Sequence, residues 1–106
     1  MLILALALTT FLSQVGVASI YTTRENGTTV ACPGYSLRNT ALTAAHLTLP
    51  CGTLITVTNL SNGKSVDVTV IDRGPYIRGR IVDLTMAAGA AIGCPGLCRV
   101  KLITKM

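Results

Sequence analysis

TLITVTNLSNGKSVDVTVIDRGPY, residues 53–76, decides how this chain is built. From Thr53 to Thr58 the side chains alternate, with Ile55 and Val57 on one face and Thr56 and Thr58 on the other. Ser65 to Ile71 alternates too, Val66, Val68 and Val70 against Asp67 and Thr69. A period of two puts one face on a core and leaves the other to solvent, which is the pattern of a strand. Between the runs, Asn59-Leu60-Ser61-Asn62-Gly63-Lys64 supplies an Asn-Gly turn, so the pair reads as a β-hairpin. The second strand runs straight into Asp72-Arg73-Gly74-Pro75-Tyr76, which sets a carboxylate at a strand end among guanidinium groups.

Upstream of the hairpin, Val17 to Tyr21 is β-prone, and the polar stretch Thr22 to Thr29, with Asn26-Gly27, is expected to be a loop. Cys32-Pro33-Gly34-Tyr35 forces a turn. Ala41 to His46 resumes a small-residue run that Leu49-Pro50-Cys51-Gly52 closes. Downstream, Thr85 is placed to cap a short helix, Met86 to Ile92, which Gly93 ends, and Arg99 to Thr104 alternates as a last strand. The expectation is a mainly β chain of about six short strands and one short helix. A closed barrel suits that count, because closure removes unpaired strand edges.

One hundred and six residues allow a single domain. Residues 1–18 carry no charged side chain, and Leu2 to Leu12 is an apolar run too short to span a bilayer as a helix. The stretch reads as a signal peptide, with Gly16-Val17-Ala18 as the small-residue cleavage site, leaving residues 19–106 as the barrel domain. No cysteine follows in a Leu-x-x-Cys arrangement, so no lipid anchor is expected, and neither is a stable membrane span. The expected location is the periplasm or the cell exterior.

Four cysteines, Cys32, Cys51, Cys94 and Cys98, are an even count in a small exported chain, which points to two disulfides in one of three connectivities. Cys94-Pro-Gly-Leu-Cys98 has the spacing of a zinc ligand pair, but there is no second close pair and the one histidine is distant in sequence. No metal or cofactor is expected. Nine basic against four acidic side chains give a net charge of +5, which favours polyanionic partners. Export and the lack of stacking aromatics among the basic residues argue against nucleic acid.

Asp72 is the first candidate for acid-base chemistry, because the following Pro75 and Tyr76 half-desolvate it while Arg73, Arg78 and Arg80 stand ready to pair with it. Asp83 reads instead as an acceptor for helix amides or a partner for Arg80. His46 is the one side chain that titrates near neutrality, and Tyr35 and Tyr76 offer faces to sugar rings.

Ala41-Leu42-Thr43-Ala44-Ala45-His46, Leu49-Pro50, Gly52-Thr53, Asn62-Gly63-Lys64, Asp72-Arg73-Gly74-Pro75-Tyr76, Gly79-Arg80 and Asp83-Leu84 together resemble the rare lipoprotein A (RlpA) family of double-psi β-barrels, from about Ala18 to Leu102. The resemblance implies a six-stranded double-psi β-barrel acting on peptidoglycan glycan strands as a monomer. Active members are lytic transglycosylases, which cut the strand and leave a 1,6-anhydromuramic end. On this reading Asp72 is the acid/base, in the position of the acid in related lytic transglycosylases, and His46, matching the family's site histidine, is its partner, in a groove where Arg38, Tyr35, Arg73, Tyr76 and Arg78 are expected against substrate. Where active members carry a Glu and an Asp, this chain has Tyr35 and Arg38. That departure raises the alternative of a non-catalytic binding module, or of an expansin-like wall loosener. A further resemblance to expansins, in the cysteine positions, implies the pairs Cys32 with Cys51 and Cys94 with Cys98.

Overall fold

The computed structural model describes residues 13–105. The hairpin forms as its alternation requires: β3 (Leu54–Asn59) and β4 (Ser65–Asp72) run antiparallel with Ile55 opposite Val68 and Val57 opposite Val66. Around it stand β1 (Ser13–Ile20), α1 (Thr23–Asn26), β2 (Thr43–Ala45), β5 (Arg80–Leu84), α2 (Met86–Ala91) and β6 (Leu97–Thr104). The six strands close into a barrel in the order β1-β5-β2-β4-β3-β6. Two pairs, β1 with β5 and β2 with β4, are parallel, so their connections must cross over, and the other pairs are antiparallel. Ile55, Val57, Val68, Val70, Val82, Leu84, Val100 and Leu102 fill the interior, and Ala88 and Ile92 join them from α2 and its C-terminal cap.

Each parallel pair carries a register shift near the end that matters. Val17 stands opposite Arg80 but Ala18 opposite Val82, and Ala44 stands opposite Val70 but Ala45 opposite Asp72. The skipped residues are Ile81 and Ile71. At the second shift the alternation of β4 breaks, Val70 and Ile71 both being buried, and Asp72 is turned to the barrel mouth.

The disulfides join Cys32 to Cys51 and Cys94 to Cys98, and among the described residues no cysteine is free. The first straps the loops ahead of β2 and β3 against the end of β4, where Cys32 N donates to Ile71 O and Gly52 N to Val70 O. Two elements differ from the sequence expectation. Thr23–Asn26 forms one helical turn rather than open loop, closed by Gly27 N donating to Thr23 O. Ser13–Ala18, read as the end of the signal peptide, make up most of β1, while residues 1–12 lie outside the described region. A short apolar run does not by itself reveal whether it is an export segment or a barrel strand.

Thr85 caps α2 as its place in the sequence indicates, and it does more. Its buried hydroxyl accepts from Ala88 N at 3.3 Å and donates to Ala41 O at 2.6 Å, tying the helix to the segment before β2. Thr85→Val keeps the shape and removes both bonds. The expected loss is about 2 kcal/mol of unfolding free energy, read as a lower denaturant midpoint at unchanged slope, with Thr85→Ser recovering most of it.

Candidate active-site cleft

The register places Ser19, Asp83, Ala45 and Asp72 in one row across β1, β5, β2 and β4. With neighbouring strands about 4.8 Å apart, the two aspartates sit roughly 10 Å from each other along the row. Ala45 is the residue between them in the row, and Tyr21 packs against it. Along the β1 side of the row opens a cleft of ≈ 510 Å³, lined by Ser19, Tyr21, Glu25, Arg73, Gly74, Tyr76, Ile77, Arg80 and Asp83 among others. That is within the size range of small-ligand sites.

Asp83 is a cleft acid whose protonation the fold alters. Burial pushes its carboxyl above the usual value of 3.8, against the opposing effects of a hydrogen bond from Ser19 Oγ to Oδ1 and of the Arg80 charge, while the Asp72 charge adds to the rise. The other oxygen, Oδ2, faces Gly74. A Cβ there would lie 3.8 Å from it, and the glycine holds a φ of +126° that other residues rarely adopt.

Asp72 is held differently. Its Oδ1 accepts from the backbone amides of Ala31 at 2.8 Å and Arg73 at 2.9 Å, so this carboxylate braces the Cys32 loop and is itself fixed in orientation. None of the arginines considered as partners in the sequence, Arg73, Arg78 and Arg80, makes an ion pair with it, and neither does Arg38. Among the described residues the ion pair is Lys105 with Asp67, at 2.8 Å on the outer wall.

His46 is 3% exposed and does not line the cleft. Its Nδ1 accepts from Thr48 N at 3.2 Å and Leu49 N at 3.1 Å, which leaves the proton on Nε2 to donate to Gln14 Oε1 at 3.0 Å. Arg73 lines the cleft, but its Nη1 donates to the carbonyls of His46 and Leu49, at 2.9 and 2.6 Å. Histidine and arginine thus frame the turn after β2. Arg38 is exposed and away from the cleft, and so is Arg78. Tyr35 lies over Gly52, its hydroxyl 3.6 Å from where a Cβ would be. Of the side chains expected against substrate, Tyr76, 80% exposed at the rim, and Arg73 are those the fold brings to the cleft.

Burial, and then the Arg73 charge, lower the His46 pKa below 6.5. The unfolded chain therefore binds a proton that the folded one resists. Stability contributed by neutral His46 is present above about pH 6.5 and lost as pH falls toward the depressed folded value. Asp83 acts with the opposite sign, so the measurement is the difference between wild type and His46→Gln. Wild type is expected to lose its thermal advantage over that variant as pH drops from 7.5 to 5.

Ser19, Tyr21 and Glu25 reach the cleft without having drawn attention in the sequence. For the first two a signal existed: residues i and i+2 of a strand share a face, so Ser19 and Tyr21 point the same way. Glu25 arrives on α1, the turn that was read as loop.

Residues 13–102 match the protein family described as lytic transglycolase. The chain is 44% identical over 90 residues to the endolytic peptidoglycan transglycosylase RlpA of Yersinia pestis, covering 85% of this chain and 25% of that protein. With the probable endolytic peptidoglycan transglycosylase RlpA of Synechocystis it shares 50% over 78 residues, 74% of this chain and 24% of the relative. This chain thus spans about a quarter of the length of these relatives. Among solved structures it is similar to the apo expansin of Clavibacter michiganensis, with a TM-score of 0.70 at 22% identity over 90% of this chain and 51% of that one. It is also similar to the Streptomyces papain inhibitor, with a TM-score of 0.66 at 20% identity over 89% of this chain and 96% of that one. Barrel order and sequence agreement along nearly the whole described chain lead to one conclusion: it belongs to the RlpA-like lytic transglycolase family of double-psi β-barrels.

Proposed function

We propose that this chain is a lytic transglycosylase domain that cleaves peptidoglycan glycan strands in the cleft beside the row Ser19–Asp83–Ala45–Asp72, with Asp83 as the acid. The observation that carries this is the state of Asp83, a half-buried cleft carboxyl whose environment favours keeping its proton. A general acid works best when its pKa approaches the operating pH. Asp83 gives its proton to the glycosidic oxygen as the bond to C1 breaks. The 6-hydroxyl of the same muramic residue attacks C1, and its proton returns to Asp83, so one carboxyl serves both steps and no water is consumed. Asp72, oriented by two amides, contributes negative charge that raises the acid and offsets positive charge developing at C1. Tyr76 and Ile77 present an exposed apolar rim for a sugar face.

The two disulfides support a site of action outside the reducing cytoplasm. Peptidoglycan is the expected partner there, met by a monomer. If an export segment is removed, the intact β1 supports a cut ahead of Ser13 rather than after Ala18. Incubation of the oxidised protein with purified sacculi is expected to release 1,6-anhydromuropeptides detectable by mass spectrometry. Co-sedimentation with sacculi and no such products would favour the binding module, and the absence of both co-sedimentation and products would overturn both readings.

A further inference from the structure

The least explained polar atom at this site is the hydroxyl of Tyr21. The residue is 8% exposed, its ring sits in a small cluster with Leu37, Ala45 and Val30, and its hydroxyl has no hydrogen-bond partner. A buried donor left unmet opposes folding, so its retention calls for another role. The backbone fixes where it stands. Tyr21 N donates to Leu84 O at 3.0 Å, one residue past Asp83, and Tyr21, the first residue after β1, lies two positions beyond Ser19, whose Oγ already holds Asp83. Ala45, in the same cluster, is the residue opposite both Asp83 and Asp72. The phenol is therefore seated by the row, near enough to Asp72 and Asp83 for both charges to act on it. Burial and the charges of both aspartates raise its pKa, so it remains a donor.

We propose that Tyr21 is a positioning residue for the acid: its hydroxyl, idle while Asp83 is protonated, donates to the Asp83 carboxylate once the proton has passed to the glycan. The inference rests on the proposed role of Asp83. The hydrogen bond then exists only after proton transfer has begun, and an interaction stronger in the transition state than in the ground state raises the rate. Tyr21 keeps its own proton throughout. The other charged groups facing this site are Asp72 at the end of β4, Arg73 after it, Arg80 on β5 and Glu25 on α1. A change confined to the phenol leaves them in place.

The test is Tyr21→Phe, which removes one oxygen and keeps the ring. Losing the donor destabilises ionised Asp83, so its carboxyl, followed by carbon-13 NMR, is expected to titrate about one unit higher in the variant, and anhydromuropeptide release to fall about tenfold at the rate optimum. The high-pH limb of the rate profile moves up with the titration. Thermal stability at pH values where Asp83 is protonated stays equal or rises, because an unmet buried donor has gone. A variant that titrates and cuts like wild type overturns the proposal, and so does one that unfolds, since the hydroxyl would then be structural. If wild type releases no product while the titration still shifts upward, the Tyr21–Asp83 link stands and the transglycosylase reading fails.

Discussion

Asp83→Asn is expected to lower release of anhydromuropeptides from sacculi by at least about a hundredfold, the scale of a lost general acid, while the barrel stays folded. Asparagine preserves the shape and can still accept from Ser19 Oγ, but it has no proton of suitable acidity to give. The linkage has a definite sign. The Asp83 carboxyl is raised in the fold, so its contribution to stability is full below about pH 3.8 and is lost as pH climbs through the folded value. Asparagine has no such loss, and the variant should therefore gain on wild type in thermal stability as pH rises over that window. Asp72→Asn should behave differently. Removing its charge lowers the Asp83 titration and slows cleavage together, moving the high-pH limb of the rate profile down. If Asp72→Asn instead abolished turnover and Asp83→Asn left it unchanged, the order of roles read from the chain alone would be restored.

The largest effect on stability is expected from removing residues 13–18. Ser13 to Ala18 pair with β6 from Ile103 to Cys98, and Val17 and Ala18 also join β1 to β5. Without them the barrel opens, both neighbours become edges, and the core loses fully buried Ala18. His46 Nε2 would also lose Gln14, its acceptor. A chain starting at Ser19 should show no cooperative thermal transition by circular dichroism, and one starting at Ser13 should melt sharply. Equal melting curves would mean that β1 contributes little to closure.

What could be read from the chain was whatever lies in local pattern. Alternation about Asn62-Gly63 fixed the hairpin register, because one slipped residue would turn Val66, Val68 and Val70 to solvent. Thr85 followed by small residues marked α2, and the resemblance to expansins in the cysteine positions carried both disulfide pairs. The different settings of Asp72 and Asp83 were not legible, for a physical reason. Asp72 has its arginines as chain neighbours, yet its actual partners are the amides of Ala31 and Arg73, while Asp83 meets Ser19 from 64 positions away through a parallel ladder. Crossover connections assemble the row from the parts of the chain near 19, 45, 72 and 83, and no local window contains it. The setting of His46 was equally hidden. A lone histidine in a family motif looks like a participant, whereas both ring nitrogens are engaged in holding a turn and β1.

Only four side-chain carboxyls occur in this chain, Glu25, Asp67, Asp72 and Asp83, so a carbon-13 NMR titration can follow each of them. Asp83 should titrate above 3.8, and Asp67, hydrogen-bonded by Lys105 and Thr56, below it. Asp83 titrating at or below 3.8 would contradict its assignment as the proton-holding acid of the cleft.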